Sequence, residues 1–269
     1  MKRQITWRAP VLILFLLFMI APVIATALFS FATRWDRTIW PEDITLAWWI
    51  KVTARSAFQR TLLNSIYVAL ATVATATILV IPTAYWAHLR MPRAKPWIEL
   101  IAIVPFGLPG VVLALALIRF YSNVPLPLIN TANLLVASYV VLTLPFMYRS
   151  VMNALEAIDV RTLTEAAQSL GATGWRTLVF AIIPNIRSGA INGSLLVFST
   201  VFAEFTLANL LIGTRFKTFP IYLVEFTRFD ARQASALAVI SFAFAWAVSL
   251  AILWFVGRSG RPSEASAAR

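Results

Sequence analysis

Few side chains in this 269-residue sequence are suited to covalent chemistry. The chain has no cysteine and a single histidine, His88, so it lacks thiol nucleophiles, disulfides and a clustered set of transition-metal ligands. It also lacks a glycine-rich phosphate loop, a zinc-protease helix signature and a Gly-x-Ser-x-Gly turn. His88 adjoins a basic loop at the end of an apolar run, which favours an interfacial role. The sequence therefore predicts no enzyme, no cofactor and no metal site, and no ATP hydrolysis by this chain.

Two carboxylates are notable because of their surroundings. Glu204 lies within an apolar run, where an ionisable group costs roughly 2 to 3 kcal/mol or more and is expected to face a cavity or a partner. Its charge could line a path for a cationic solute, or it could pair with a donor on a neighbouring helix or subunit. Asn209, about one helical turn further on, could help in either role or join two helices. Glu165, in contrast, opens a polar segment between apolar runs.

The composition places these residues in a membrane protein. Hydrophobic residues make up 60% of the chain and charged residues 13%, far from the averages of soluble domains. The 23 basic residues outnumber the 11 acidic ones, and we expect this excess to set topology and to meet anionic lipid headgroups rather than nucleic acid. The predicted fold class is an all-α polytopic membrane protein.

Six apolar runs approach or exceed the length of about 20 residues that crosses a bilayer. The predicted spans are residues 11–31, 62–86, 97–120, 132–148, 188–212 and 234–256. The first run could be a signal peptide, but it stays apolar beyond the small residues that imitate a cleavage site, which favours a retained span. The third run should bend, either as a hinge or as a fixed kink, because it contains Pro105, Gly107, Pro109 and Gly110.

The short loop at residues 88–96 suggests an orientation. It carries Arg90, Arg93 and Lys95 directly beside membrane ends, which favours a cytoplasmic location. Both termini and residues 149–187 would then be cytoplasmic, and residues 33–61, 121–131 and 213–233 would be external.

The polar segment between spans four and five has a helical pattern. Apolar residues recur on one face, namely Val160, Leu163, Ala167 and Leu170. Gly171 is expected to end this helix, and a second apolar run continues until Pro184 interrupts it. This pattern predicts a helix-turn-helix at the cytoplasmic face.

The stretch EAAQSLGATGWRTLVFAIIP, residues 165–184, resembles the EAA motif of ABC importer permeases, which reads Glu-Ala-Ala, three residues, Gly, nine residues, Ile, any residue, Leu, Pro. The matching residues are Glu165, Ala166, Ala167, Gly171 and Pro184. Ala181 and Ile183 replace the usual Ile and Leu. The fixed spacing of Glu, Gly and Pro, together with the position of the stretch before the penultimate span, makes the match specific.

Further stretches along nearly the whole chain resemble the same family, including RTLLNSIYVALATVATA and VPFGLPGVVLALAL. The region of Glu204 and the following loop resemble the spermidine/putrescine branch, which commonly has Asp-Glu-Phe and Thr-Leu-Pro. The residues that match are Glu204, Phe205, Thr218 and Pro220, whereas Ala203 and Phe219 differ.

The resemblance implies one transmembrane permease domain, residues 1–269, with a core at 61–256 and a cytoplasmic coupling loop at 155–184. In such systems the coupling helix docks on a cytoplasmic ABC ATPase dimer. The resemblance implies that the small residues Ala166, Ala167 and Gly171 permit close approach of that partner, and that Glu165 accepts hydrogen bonds from its basic or hydroxyl groups. An ordinary amphipathic surface helix is the alternative. A second permease, identical or paralogous, and an extracytoplasmic substrate-binding protein complete an importer in the bacterial inner membrane. The expected cargo is a small solute such as a polyamine, an aminophosphonate or ferric ion. A secondary transporter or channel that uses Glu204, and an intramembrane enzyme, remain as alternatives.

Overall fold

The computed structural model describes residues 8–122 and 131–259, and within them the chain is helical apart from loops and one antiparallel bridge, Ala32 to Ile44. The all-α prediction is confirmed. Residues 1–7 and 260–269, on which the cytoplasmic placement of the termini depends, lie outside the described residues, as does most of the predicted external segment 121–131.

Thirteen α-helices occur in the described residues. They are α1 Arg8–Phe31, α2 Ala47–Thr53, α3 Ser56–Arg90, α4 Lys95–Ile103, α5 Gly110–Ser122, α6 Ala132–Glu156, α7 Val160–Ser169, α8 Gly174–Thr177, α9 Ile183–Asn185, α10 Arg187–Ala203, α11 Thr206–Leu211, α12 Phe219–Thr227 and α13 Ala231–Ser259. Two 3₁₀ turns, Pro92–Ala94 and Val104–Gly107, flank α4, and a π-helical turn, Leu178–Ile182, precedes α9.

Six spans account for the long apolar helices of the described chain. Four are continuous, namely Pro10–Phe31, Ser56–Arg90, Ala132–Glu156 and Ala231–Ala251. Two bent pairs complete the number when each pair counts as one span, namely Pro92–Gly107 with Gly110–Ser122 and Gly174–Asn185 with Arg187–Ala203. The predicted count of six agrees with this arrangement.

Helices α3 and α6 extend beyond the predicted spans. The 35 residues of α3 make a rod about 52 Å long, well over the roughly 30 Å of a hydrocarbon core. Helix α6 continues from the predicted end at residue 148 to Glu156, because Val151, Met152 and Leu155 are buried and carry its packing surface onward. The polar segment after it thus starts from a continuous helix.

The third span is broken rather than kinked. Helix α4 and the 3₁₀ turn form one arm and α5 forms the other, and the two arms meet at 98°. Leu108 between them is extended, with φ −86° and ψ 135°, and Pro109 follows it. A residue before proline is driven out of the helical region by the ring, so this pair of residues sets the break.

The fifth predicted span, residues 188–212, was wrong as a continuous helix. Helix α10 ends at Ala203, Glu204 is extended with ψ 124°, and α11 begins at Thr206. Glu204 therefore lies at a helix break and not near the middle of a helix.

The chain divides into two units. One comprises residues 8–60 and 222–246 of the described chain. In this unit the exposed helix α1 is followed by a loop that folds back to the end of α1. The Thr45 amide in this loop donates to the Phe31 carbonyl at 2.7 Å. The indole N–H of Trp48 in α2 donates to the carbonyl of Ala32 at 3.0 Å, which holds α2 against the end of α1.

The second unit comprises residues 61–221 and 247–259 of the described chain. Helices α6 and α10 form its centre, and two glycines of α10 bring their backbones together. A Cβ atom at Gly189 would lie 2.4 Å from the Cβ of Ala154 and 2.5 Å from the carbonyl oxygen of Ser150. A Cβ at Gly193 would lie 2.8 Å from the sulfur of Met147. This crossing is a Gly-x-x-x-Gly contact of the kind that joins membrane helices.

Candidate functional site

The segment after α6 folds as a helix-turn-helix, which we call the elbow and define as residues 159–177. Asp159 begins it: one carboxylate oxygen accepts from the amide of Thr162 at 3.1 Å and the other from its hydroxyl at 2.7 Å. The Thr162 hydroxyl, and then its amide, hold the pKa of Asp159 below its ordinary value. A lowered pKa favours the charged form, so this cap is complete at neutral pH and weakens as the pH falls through that lowered value.

Gly171 ends α7, as predicted. Its φ of +83° is in the left-handed region, which glycine enters without a Cβ penalty. The Gly171 amide donates to the carbonyl of Gln168 at 2.9 Å, and the Ala172 amide donates to that of Ala167 at 3.0 Å. These two bonds make a Schellman cap, which ends the helix at the glycine.

Replacing Gly171 with alanine should loosen the end of α7 at a cost of about 1 kcal/mol, since a Cβ here meets no atom within 4 Å and only the positive φ is strained. Gly171→Asn should cost less because asparagine tolerates this region. Hydrogen exchange of the α7 amides measures the difference. Gly107→Ala, at an uncrowded glycine with no positive φ, is the matched control. Equal exchange in the Gly171 Ala and Asn variants would contradict the assignment of the cap.

The inner side of the elbow is fastened to α3. Thr164 is 4% exposed, and its hydroxyl donates to the carbonyl of Val160 at 2.7 Å. The same hydroxyl oxygen lies 3.1 Å from that of Tyr85, which is 1% exposed, so Tyr85 is the donor between them. After the turn, Gly174 lies against the ring of Trp86, where a Cβ would be 3.2 Å from the ring carbon Cη2.

The outer side of the elbow is exposed and partly apolar. Leu170 is 90% exposed, and Ala166 is also exposed. The carboxylate of Glu165 pairs with Arg161 one turn earlier at 2.8 Å, and both side chains are largely solvent-accessible. A surface pair of this kind adds little to stability, so exchanging Arg161 for another donor would cost the protein little.

An open concavity of about 310 Å³ adjoins this face. It is lined by Ala167, Leu170, Gly171, Ala172, Arg176, Thr177, Phe180 and Ala181. The structure therefore brings two predicted residues, Ala167 and Gly171, to one hollow, with Glu165 and Ala166 on the adjoining helix surface.

Pro184 lies apart from this hollow. It is exposed and occupies the first turn of α9, where its missing amide hydrogen is tolerated. The preceding π-helical turn, Leu178–Ile182, widens the helix ahead of the proline ring. The sequence predicted an interruption at Pro184, but the bend of 78° comes at Ile186, between α9 and α10.

Glu204 is held by three donors at the break after α10. Its carboxylate accepts from the hydroxyl of Tyr139 on α6 at 2.8 Å. It also accepts from the amides of Leu207 at 3.0 Å and Ala208 at 3.3 Å, so it caps the start of α11. Of the two predicted roles, this geometry supplies the pairing with a neighbouring helix. Asn209 is exposed on α11, and the described hydrogen bonds of Glu204 do not include its side chain.

Sequence reasoning missed several of these residues. The Gly189-x-x-x-Gly193 spacing within an apolar run was a readable signal for a tight helix crossing. Asp159, three residues before Thr162 at the start of a periodic segment, was a readable N-cap. Tyr85, Tyr139 and Thr164 carry no local signal, since each is defined by a partner at least 65 residues away.

A family model for the binding-protein-dependent transport system inner membrane component matches residues 80–260, more than half of the chain. The chain belongs to this family. It is the permease component of an ABC importer, an inner membrane transport component with several spanning helices.

Curated relatives of this family member include one named without a solute and two named for different solutes. It is 28% identical over 264 residues to the probable ABC transporter permease protein y4fN of Sinorhizobium fredii, with 91% of this chain covered. It spans 44% of that relative's length. The spermidine/putrescine permease PotB of Haemophilus influenzae is 26% identical over 215 residues, 74% of each chain. The molybdate/tungstate permease WtpB of Thermococcus kodakarensis is 24% identical over 196 residues, 72% of this chain and 77% of that one.

A solved structure shares the fold. It is a bacterial ABC transporter involved in the import of the acidic polysaccharide alginate, with a TM-score of 0.72, 18% sequence identity and 95% of each chain covered. At this identity the likeness concerns the fold, and it agrees with the predicted importer-permease architecture.

Proposed function

We propose that this permease imports a small solute by passing the ATP-driven motion of a cytoplasmic ABC ATPase dimer through the elbow into its spans. The observation that carries the proposal is the two-sided construction of the elbow. Its outer face presents Glu165 and Leu170 beside an open hollow, while its inner face is buried against α3. The exposed leucine offers apolar area to a partner, and the buried contact with α3 connects that area to a span.

The remaining partners follow from this role. A second permease, identical or paralogous, completes the path, and an extracytoplasmic binding protein delivers the solute. Both termini and the elbow lie in the cytoplasm, which agrees with the basic loop that carries Arg90, Arg93 and Lys95. ATP-driven closure of the ATPases draws the elbows together and turns the cavity outward, and hydrolysis resets it.

The cargo is a small solute of the polyamine, aminophosphonate or ferric-ion type. Support comes from the Glu204, Phe205, Thr218 and Pro220 pattern of the polyamine branch and from the relative named for spermidine/putrescine transport. Because Glu204 is occupied by Tyr139 and two amides, we place most of the solute selectivity in the binding protein.

Crosslinking of the elbow tests the proposal directly, because the chain has no cysteine and one introduced thiol is unique. Leu170→Cys should crosslink to the ABC ATPase subunit of the assembled importer, in a nucleotide-dependent manner. Phe229→Cys, 85% exposed in the other unit and predicted to be external, is the matched control and should not crosslink. Glu165→Lys, added to Leu170→Cys, should lower solute-stimulated ATP hydrolysis by roughly tenfold or more, since like charges across an interface cost several kcal/mol.

A charge reversal elsewhere controls for a general effect. Asp36 also sits in an exposed pair, with Arg34 at 3.4 Å, and Asp36→Lys should leave ATP hydrolysis and insertion unchanged. Wild-type uptake in Glu165→Lys, or absence of any crosslink from Leu170→Cys, would refute the proposed docking.

A further inference from the structure

The contact between Tyr85 and Thr164 joins two parts of the chain that the backbone does not connect closely. Tyr85 lies near the end of α3, the second span, and Thr164 lies in the middle of α7, 79 residues later. The elbow follows α6 directly and leads through α9 into α10, so it reaches those helices through the backbone. It reaches α3 through side chains instead.

Both hydroxyl groups are buried, so the hydrogen bond between them is costly to leave unmade. The Thr164 hydroxyl donates to its own helix at Val160, and its oxygen accepts from Tyr85. A buried phenol that loses its partner bears a desolvation penalty, so the tyrosine follows the threonine when α7 moves.

Trp86, the next residue of α3, packs against α8, the second helix of the elbow. The ring of Trp86 faces Gly174 with no room for a Cβ at ordinary contact distance. The guanidinium of Arg90, one turn further, lies over the same ring at 4.7 Å from its centroid. The end of α3 thus contacts both helices of the elbow, α7 through Tyr85 and α8 through Trp86.

We propose that Tyr85 and Thr164 are positioning residues that transmit displacement of the elbow to the second span. This inference rests on the proposed coupling function and adds a second route to it. Motion of the elbow moves α6 and α10 through the chain and moves α3 through this hydrogen bond. Loss of the bond leaves ATPase docking intact and lets α3 lag behind the elbow.

Tyr85→Phe and Thr164→Val each remove the bond with little change of shape. In the assembled importer each should lower solute uptake per ATP hydrolysed by about three- to tenfold, the range that corresponds to one hydrogen bond. The double variant should be no worse than either single one, because both act on one contact. Thr164→Ser retains the hydroxyl and should retain uptake per ATP. Thr72→Val, at a buried threonine of α3 that bonds its own helix, is the matched control.

Three readouts separate the outcomes. Crosslinking from Leu170→Cys at the wild-type level, with reduced uptake per ATP in Tyr85→Phe and Thr164→Val, supports the inference. Wild-type uptake per ATP in Tyr85→Phe overturns it, and so does a loss that follows only the amount of protein in the membrane. Absence of crosslinking in the otherwise wild-type chain refutes the coupling function itself, whatever the Tyr85 variants do.

Discussion

Replacing Gly189 with leucine is expected to prevent α6 and α10 from packing, and so to remove most folded protein from the membrane. A Cβ at this position would lie 2.5 Å from a backbone carbonyl oxygen, that of Ser150, which cannot rotate away as a side chain can. Overpacking of a well-packed interior typically costs about 1 to 3 kcal/mol, and a leucine driven against backbone should reach or exceed the upper end. Membrane abundance and unfolding by SDS in mixed micelles measure the loss.

Two further glycine variants set the scale for this result. Gly193→Ala should be milder than Gly189→Ala, because its closest neighbour is the flexible Met147 side chain at 2.8 Å. Gly107→Leu adds the same side chain at a glycine whose Cβ position has no neighbour within 4 Å, and it should cost little. If the Gly189→Ala variant were as stable as the unchanged chain, the two helices would separate easily at this crossing, which would contradict the prediction.

Replacing Glu204 with alanine is expected to destabilise the protein by about 3 kcal/mol or more. The change leaves the hydroxyl of Tyr139 and the amides of Leu207 and Ala208 without their acceptor, and each unpaired buried donor costs about 1 kcal/mol or more. The same SDS titration measures this cost.

The matched variant Glu204→Gln separates structure from transport. Glutamine keeps a carbonyl acceptor but removes the charge, so it should preserve most of the stability lost in Glu204→Ala. If Glu204 serves as a cap and a tie to Tyr139, solute uptake in Glu204→Gln should remain close to normal. Normal stability with strongly reduced uptake of a cationic solute would instead assign the carboxylate to the translocation path and contradict our interpretation.

In the elbow, the local sequence pattern predicted the end of α7 correctly but misplaced the bend that follows. The spacing of apolar residues from Val160 and the position of Gly171 predicted both the helix and its end, because a C-terminal glycine acts through its own φ and its nearest neighbours. The bend near Pro184 was misplaced by two residues, since the ring was accommodated by a π-helical turn and the chain turned at Ile186 instead.

Glu204 shows where local pattern fails. Hydropathy cannot distinguish a helix of 25 residues from a helix of 17 residues, a break and a short second helix, because most residues on both sides of the break are apolar. The break exists because the carboxylate finds two amides ahead of it and Tyr139 across from it.

The sequence by itself determined the all-α class, the six apolar runs and the EAA-type segment, since lipid requires helices that satisfy their own backbone and the motif is contiguous. Only the tertiary structure decided which faces meet: Gly189 against Ser150, Tyr85 with Thr164, and Glu204 with Tyr139. The physical reason is the sequence separation over which each kind of interaction acts. Helix formation and capping depend on neighbours within about five residues, whereas helix crossings and buried hydrogen bonds depend on partners brought together by the whole fold.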